Sequence, residues 1–194
     1  MTKAALRKIY RQKRRRLSEP EIEKFTDCIL INFQKIQLPY ISYVHTYIAS
    51  GSLGEADTSA ITRFLHFKNP GLKILAPRID IATGNMHHVP FHDEVELIKN
   101  AFGIEEPATG ETIDPEVIDL VLVPLLAFDK RGFRIGYGKG FYDRFFAECR
   151  VDVIKIGLSF FEPEERIDDI GQFDISLNYC VTPGEVFEFT DTDV

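Results

Sequence analysis

The feature that most constrains the fold is an almost unbroken apolar run at residues 118–128, interrupted by a single aspartate. A short run of this kind, without polar alternation, is typical of a strand covered on both faces, as in a parallel sheet. Shorter segments rich in β-branched and aromatic residues, at 40–49, 72–77 and 153–160, predict further strands, and helical patterns alternate with them. We therefore predict an α/β fold with a mostly parallel central sheet and some antiparallel strands.

Several local signals divide the rest of the chain. Thr2 can cap a first helix, and Ser18 with Glu21 forms a capping box for a second. Thr58 or Ser59 can cap a third helix, and residues 141–149 have a helical pattern. A turn at 82–85 predicts a hairpin, residues 100–117 look like a loop, and 179–189 supplies one or two last strands. At 194 residues, we expect a single domain over 1–194.

Charge is distributed very unevenly. The net charge is −7, yet residues 1–16 contain no acidic residue and eight basic ones. These are Lys3, Arg7, Lys8, Arg11, Lys13, Arg14, Arg15 and Arg16. Lys3, Arg7, Arg11 and Arg14 recur every three or four residues and share one face of the first helix. Such a segment can be a nucleic-acid arm, a targeting peptide or an anion site required by the acidic remainder.

Cysteine content and hydropathy indicate a cytoplasmic location. Cys28, Cys149 and Cys180 are widely spaced and form no Cys-x-x-Cys pair, so we expect buried, reduced thiols. No apolar run approaches the roughly 20 residues of a membrane helix, and the first residues lack the apolar core of a signal peptide.

The segment from Arg134 to Asp143 carries the strongest chemical signal. Its glycines, at 136, 138 and 140, allow the backbone to approach a ligand closely, and a helix begins directly after them. Arg134 and Lys139 add positive charge, and Asp143 could hold Mg²⁺. The spacing matches neither a Walker A sequence nor a dinucleotide fingerprint. It therefore fits a phosphate-binding loop and, equally, a glycine-rich turn whose Lys and Asp are solvated or paired.

A histidine group is a weaker candidate. His87 and His88 are adjacent in a predicted strand, so their side chains point to opposite faces and do not suit shared metal ligation with His92. We expect these histidines to be solvated or part of the core.

The residues at 123–144, Val-Pro-Leu-Leu-Ala-Phe-Asp-Lys-Arg-Gly-Phe-Arg-Ile-Gly-Tyr-Gly-Lys-Gly-Phe-Tyr-Asp-Arg, closely resemble the signature of 5-formyltetrahydrofolate cyclo-ligases, also called methenyltetrahydrofolate synthetases. Weaker matches follow in order at 3–7, 54–58, 76–78, 102–107 and 156–160. The resemblance implies a three-layer α/β/α sandwich related to the ribose-isomerase and CoA-transferase group. It also implies ATP- and Mg²⁺-dependent conversion of 5-formyltetrahydrofolate, with or without a polyglutamate tail, to 5,10-methenyltetrahydrofolate, ADP and phosphate.

The resemblance also implies roles for individual residues. Arg134 and Lys139 would serve catalysis, Asp143 and Asp174 would hold the metal, and Ser50, Glu55 and Tyr142 would bind folate. The ATP-binding positions would be Lys3, Arg7, Arg134, Gly136, Tyr137, Gly138, Lys139, Gly140, Phe141 and Tyr142.

The sequence departs from the family pattern at a few positions. Tyr137 stands where some members have Arg, and Lys139 stands where others have Gly. Asn178 replaces a second late aspartate, four residues after Asp174. Arg14, Arg15 and Arg16 have no role in the pattern, and we expect them to be solvated or paired with carboxylates of the remaining chain.

Two other functions stay open from the sequence. A protein on the same fold could bind nucleotide or folate without turnover, and the basic arm could bind nucleic acid. The remainder of the chain, at −15, would repel a polyanion. We therefore expect small-molecule partners, no nucleic acid and no membrane, and a monomer or weak dimer.

Overall fold

The computed structural model describes residues 1–189 of the chain. In chain order its helices and strands are α1 (Lys3–Arg15), α2 (Glu19–Phe33), β1 (Tyr43–His45), α3 (Ser59–Lys68), β2 (Lys73–Asp80), β3 (Asn85–Pro90), β4 (Leu97–Lys99), β5 (Glu105–Pro107), β6 (Leu120–Pro124), β7 (Ala127–Phe128), β8 (Arg134–Ile135), α4 (Phe141–Glu148), β9 (Ile154–Leu158), β10 (Tyr179–Val181) and β11 (Val186–Glu188).

A seven-stranded sheet forms the centre, in the order β11-β10-β9-β6-β1-β2-β3. The five strands from β10 to β2 run parallel, and β11 and β3 pair antiparallel at the two edges. The middle strand, β6, is fully buried from Leu120 to Val123, which confirms the prediction from the apolar run. β1 pairs with β2 on one side and with β6, which comes later in the chain, on the other. Ligands of open α/β sheets bind at the carboxyl ends beside such a reversal of strand order.

Helices cover both faces of this sheet. On one face α2 and α3 pack through Phe33 and Leu65 against Leu122 of β6. On the other face α4 packs through Phe145 against Val123 of the same strand. Alternate residues of β6 therefore enter different cores, and the predicted three-layer sandwich is confirmed.

The first helix lies on a small antiparallel hairpin formed by β7 and β8. Its Leu6 and Tyr10 are buried in a separate core with Ala127 and Ile135 of the hairpin. Thr2 caps its first turn, as predicted. This packing turns the basic face of α1 toward the glycine-rich segment that follows β8.

Some predicted boundaries are wrong. The strand expected at 40–49 is limited to Tyr43–His45, because Tyr47 then bonds with the segment before α3. The run at 118–128 divides after Pro124 into β6 and β7, so the glycine-rich segment follows a hairpin rather than the buried strand. The expected loop at 100–117 contains β5, paired with β4, whose exposed residues show no apolar alternation.

The cysteines differ from expectation in their burial. All three cysteines are free, but only Cys180 is buried, whereas Cys28 and Cys149 are half-buried. Within residues 1–189, no helix is long and apolar enough to cross a membrane.

Candidate active site

A cavity of about 510 Å³ opens at the carboxyl ends of β1 and β6. Tyr47 and Ile48, which follow β1, and Pro124, which ends β6, form part of its wall. The structure brings together here all the residues expected from the sequence except Ser50. Those lining the cavity are Lys3, Arg7, Glu55, Arg134, Gly136, Tyr137, Gly138, Lys139, Gly140, Phe141, Tyr142, Asp143 and Asp174.

Two ion pairs form what we call the paired-charge cluster, consisting of Lys3, Arg134, Asp143 and Asp174. Lys3 at the start of α1 pairs with Asp174, and Arg134 of β8 pairs with Asp143 of α4 at 2.7 Å. Arg134 also donates to the Ile175 carbonyl at 2.5 Å. Burial lowers the pKa of the Arg134 guanidinium, and Asp143 opposes that shift. Two of the cations expected at ATP, Lys3 and Arg134, are thus each held by a carboxylate expected at the metal.

The glycine-rich loop is held against α1 by hydrogen bonds from arginine side chains of the helix to backbone carbonyls of the loop. Arg7 donates to the Gly136 carbonyl at 3.0 Å, and Arg11 donates to the Tyr137 carbonyl at 3.3 Å. Gly138 has a φ of +95°, and a Cβ there would lie 3.4 Å from Nε of Arg7. Gly140, with a φ of +69°, begins α4. Both left-handed conformations favour glycine, and they keep the loop close to the basic face of α1.

Lys139 lies at the exposed rim of the cavity. Its ammonium group is 4.8 Å from the ring centroid of Phe102, and that ring is 6.4 Å from the ring of Phe141. Among the described residues it forms no ion pair. The ammonium group can therefore approach a ligand without first leaving a carboxylate.

A second group, which we call the Glu55 cluster, consists of Arg14, Ser50, Glu55 and Tyr137. The Tyr137 hydroxyl donates to one carboxylate oxygen of Glu55 at 2.6 Å, and the Ser50 backbone N–H donates to the other at 3.0 Å. Arg14 donates to the Tyr137 hydroxyl at 2.9 Å and to the Leu125 carbonyl at 2.5 Å. Glu55 therefore has a hydrogen-bond donor on each oxygen.

One expectation about this cluster is wrong. Arg14 is neither solvated nor paired with a carboxylate, since it is 5% exposed and bonds a hydroxyl and a carbonyl. Arg15 and Arg16 are exposed, as expected for solvated side chains. Ser50 does not line the cavity, and its backbone N–H bonds Glu55, so its expected role in folate binding stays a prediction.

The electrostatics of the Glu55 cluster result from burial. Burial raises the pKa of Glu55, and the hydrogen bonds from Tyr137 and Ser50, together with the charge of Arg14, oppose that rise. Burial and the neighbouring Glu55 raise the pKa of Tyr137, so its hydroxyl keeps its proton. Tyr137, Ser50 and Arg14 therefore favour the charged form of Glu55 and reduce, without reversing, the rise in pKa that burial causes.

An aromatic and histidine group lies next to Tyr142. The Tyr142 hydroxyl is buried and has no hydrogen-bond partner among the described residues. His45 and His88 are buried with ring centroids 5.0 Å apart, and both contact Phe145. Burial lowers the pKa of His45 and brings that of His88 to about 4. His88 is thus a core histidine, in agreement with the prediction.

The carboxylates of the paired-charge cluster fit Mg²⁺ bound together with phosphate. Asp143 and Asp174 each accept hydrogen bonds on one oxygen, and their other oxygens have no partner within the described part of the chain. No set of three or more potential ligand side chains occurs in residues 1–189. One or two carboxylates completed by phosphate oxygens and water is the usual arrangement for Mg²⁺.

Several cavity residues were not predicted. Arg11 shares the helix face of Lys3 and Arg7, so its spacing was a usable signal. Tyr47 had no such signal. Phe102 and Glu106 lie in the segment 102–107 that resembles the family, but nothing in that segment indicated that they reach the cavity.

Comparison with known proteins yields one family. The model of the 5-formyltetrahydrofolate cyclo-ligase family matches residues 1–170, a range that ends before Asp174. The 5-formyltetrahydrofolate cyclo-ligase of Escherichia coli K12 is 29% identical over 157 residues, covering 78% of this chain and 85% of that protein. A probable 5-formyltetrahydrofolate cyclo-ligase of Caenorhabditis elegans is 26% identical, covering 96% of this chain and 91% of that protein.

Solved structures are similar over nearly the whole chain. The 5,10-methenyltetrahydrofolate synthetase of Aquifex aeolicus superimposes with a TM-score of 0.79 at 29% identity, covering 100% of this chain and 96% of that one. The synthetase of Mycoplasma pneumoniae, at 24% identity and a TM-score of 0.74, covers 94% of this chain and 99% of its own and supports the fold.

Proposed function

The chain belongs to the 5-formyltetrahydrofolate cyclo-ligase family, and on that premise we propose that it converts 5-formyltetrahydrofolate to 5,10-methenyltetrahydrofolate with release of ADP and phosphate. The observation that carries this proposal is the convergence of four separate chain segments on one cavity. The start of α1, the segment around Glu55, the loop from Arg134 to Asp143, and Asp174 contribute cations, a hydrogen-bonding carboxylate and two further carboxylates.

The reaction needs an activated formyl group. In the proposed sequence the formyl oxygen attacks the γ-phosphorus of ATP, and the bond from that phosphorus to the β,γ-bridging oxygen breaks, releasing ADP. N10 of the folate then forms a bond to the activated carbon and loses its proton, and the C–O bond breaks, so that phosphate leaves and takes up that proton. No protein nucleophile takes part. Phosphoryl transfer requires mainly positioning and neutralisation of charge.

The cations of α1 and the glycine loop suit the phosphates. Lys3 and Arg7 approach the loop from one side and Arg134 from the other, and backbone N–H groups at the start of α4 add a favourable field. Lys139, free at the rim, supplies a further cation to the same group. We assign ATP binding to these residues with Gly136, Tyr137, Gly138, Gly140, Phe141 and Tyr142, and assistance in phosphoryl transfer to Arg134 and Lys139.

Asp143 and Asp174 would hold Mg²⁺. When bound, the ion neutralises phosphate charge and orients the γ-phosphoryl group. With nucleotide and metal bound, Lys3 and Arg134 would pair with phosphate, and Asp143 and Asp174 would hold the ion in place of their present partners. The pairs thus keep both cations and carboxylates inside the cavity before the substrates arrive.

Glu55 suits the folate. A buried carboxylate with a donor on each oxygen still has lone pairs that can accept from N–H groups of a pterin. Tyr142, with its unpartnered hydroxyl, can bond the same substrate. The role expected of Ser50 becomes an indirect one, through its bond to Glu55.

Other expectations complete the proposal. A single domain over 1–194, a monomeric or weakly dimeric state and a cytoplasmic location remain predictions, as does activity toward substrates with or without a polyglutamate tail. The proposal involves no nucleic acid, because Lys3, Arg7 and Arg11 of the basic face line the cavity and Arg14 of the same face is buried.

The test is an absorbance assay for the methenyl product. The purified protein, incubated with 5-formyltetrahydrofolate, should form the methenyl chromophore only when both ATP and Mg²⁺ are added. If folded protein binds both substrates without forming product, the chain is a binding protein without turnover. Tight binding of duplex DNA at physiological salt in a filter assay would instead favour nucleic-acid binding.

A further inference from the structure

We propose that Arg14 and Tyr137 are positioning residues that hold Glu55 as a charged acceptor, so that the C-terminal turn of α1 tunes recognition of the folate ring. The inference rests on the proposed function, in which Glu55 contacts folate. It gives a role to a member of the basic cluster Arg14, Arg15 and Arg16 that the family pattern leaves unexplained.

The direction of the hydrogen bonds is fixed by Arg14. A guanidinium has only donors, so the Tyr137 oxygen must accept from Arg14. The single hydroxyl proton of Tyr137 is then directed to Glu55, 2.6 Å away. A hydroxyl with no such neighbour could rotate and accept from a protonated Glu55. Arg14 therefore favours a Glu55 that accepts hydrogen bonds rather than one that donates them.

Burial makes this arrangement matter. Arg14 is 5% exposed, and its second bond, to the Leu125 carbonyl, fixes the side chain at the end of β6. In such surroundings a charged group interacts more strongly with its neighbours than it would in water. An uncharged Glu55 would present one donor and lose acceptor capacity, and so would bind a ring with paired N–H groups less well.

The cluster also accounts for a departure from the family pattern. Tyr137 stands where some members have Arg, which would put a cation next to Glu55 directly. Here the cation comes from a different element, 123 positions earlier in the chain, and acts through the Tyr137 hydroxyl. The same charge thus reaches the carboxylate by another route.

The test compares Arg14→Met with Arg15→Met. Arg15 is the next residue of the same helix and is exposed, so its variant removes the same charge without the contacts. Calorimetry would measure the dissociation constant of 5-formyltetrahydrofolate between pH 5.5 and 8.5, with Mg²⁺ and a non-hydrolysable ATP analogue present. Arg14→Met should weaken folate binding about ten-fold at neutral pH, as for loss of one charge-assisted interaction. The acidic limb of binding should move to higher pH, and the affinity for the analogue should stay within about two-fold.

Two further variants separate positioning from folding. Tyr137→Phe keeps the bond from Arg14 to Leu125 and should displace the acidic limb in the same direction. Arg14→Lys keeps the charge and one donor, and its limb should lie between those of the wild type and Arg14→Met. A merely structural Arg14 would lower the melting temperature of the variant and leave the pH profile in place.

Failure of the inference and failure of the proposed function give different results. If wild-type protein does not bind 5-formyltetrahydrofolate, the proposed function is overturned and the inference with it. If wild-type protein binds it but Arg14→Met and Arg15→Met share one pH profile, the inference alone is overturned. Equal losses of folate and nucleotide affinity in Arg14→Met would overturn it as well.

Discussion

The paired-charge cluster and the Glu55 cluster line the same cavity but are built differently. In the first, each cation faces one carboxylate, and the side chains of Lys3, Asp143 and Asp174 are 17–30% exposed. In the second, the nearest cation to Glu55 acts through a tyrosine hydroxyl, and both carboxylate oxygens accept hydrogen bonds.

The difference fits what we propose that each cluster binds. The Lys3–Asp174 pair is partly exposed, and ion pairs in contact with water are weak, so these two residues can exchange one partner for another when a charged ligand arrives. A buried hydrogen-bonded network is costly to rearrange, so it suits a ring whose donors must meet fixed acceptors. One cavity can therefore contain both an ion pair whose members change partners and a hydrogen-bonded network that stays fixed.

The largest effect on the paired-charge cluster is expected from Arg134→Ala. Arg134 is the most buried member of the paired-charge cluster, with 6% of its side chain exposed. Its loss removes a cation from the phosphates and leaves Asp143 and the Ile175 carbonyl without their donor. We expect kcat/KM for ATP to fall at least about 100-fold, together with a lower melting temperature.

Lys139→Ala is the matched control for Arg134. It also removes a cation from the cavity, but it breaks no ion pair in the described structure, and should lower kcat/KM by only a few-fold with no change in melting temperature. Steady-state kinetics and thermal unfolding measure both variants. Equal effects of the two substitutions would contradict the importance of the buried pair.

Glu55→Gln addresses the other cluster. The amide keeps the shape but loses the charge and one acceptor, so KM for 5-formyltetrahydrofolate should rise about 10- to 100-fold, whereas KM for ATP stays unchanged. Because the amide does not titrate, the acidic limb that we attribute to Glu55 should disappear from the pH dependence of folate binding. An unchanged limb would mean that another group controls it.

Lys3→Ala should give opposite changes in two parameters. Loss of the cation should raise KM for ATP about ten-fold, while Asp174, released from Lys3, should bind Mg²⁺ more readily and lower the Mg²⁺ concentration needed for half-maximal activity. Initial rates measured over a grid of ATP and Mg²⁺ concentrations separate the two. Lys8→Ala, at an exposed position of the same helix, should change neither. A rise in both parameters would argue against the exchange of partners.

The smallest expected effect comes from His88→Phe, and it concerns stability at low pH. Burial brings the pKa of His88 to about 4, below the ordinary value of 6.5. Between these two pH values, His88 is therefore protonated in the unfolded chain and neutral in the folded protein. Stability from this residue is complete above pH 6.5 and is lost as the pH falls toward 4, by up to about 1.4 kcal/mol per pH unit.

Urea unfolding at pH 5 and pH 7.5 checks this expectation. The variant should show a smaller difference in the free energy of unfolding between the two pH values than the wild type shows. It would also allow the titration of Glu55 to be followed at acid pH with less loss of folded protein. An unchanged difference would place the acid sensitivity elsewhere, for example at His45.

Local chemistry explains what could be predicted from the sequence. The buried strand, the glycine-rich loop and the caps at Thr2 and Ser18 depend on residues close together in the chain, and these features were found. The face shared by Lys3 and Arg7 follows from helical spacing alone. The phosphate side of the cavity is accordingly the part that sequence motifs describe well.

The remainder depends on contacts between distant segments. The burial of Arg14 requires the end of β6 and Tyr137 to meet α1, and nothing near Arg14 in the sequence distinguishes it from the exposed Arg15. The β4–β5 hairpin has no apolar alternation in its sequence: β4 is exposed, and Glu106 of β5 is a buried charged residue. Ser50 illustrates the same limit, since nothing in the sequence indicates that its backbone N–H bonds Glu55.

The position of α1 also determines when the site can exist during folding. Arg7 bonds Gly136, 129 residues later, and Lys3 pairs with Asp174, 171 residues later. The helix is synthesised long before either partner, so an emerging chain lacks the proposed nucleotide site while residues up to Asp174 are still inside the ribosome. A ligand stabilises only the state that binds it. Under the proposed function, nucleotide would therefore stabilise complete molecules against unfolding and would not stabilise incomplete ones.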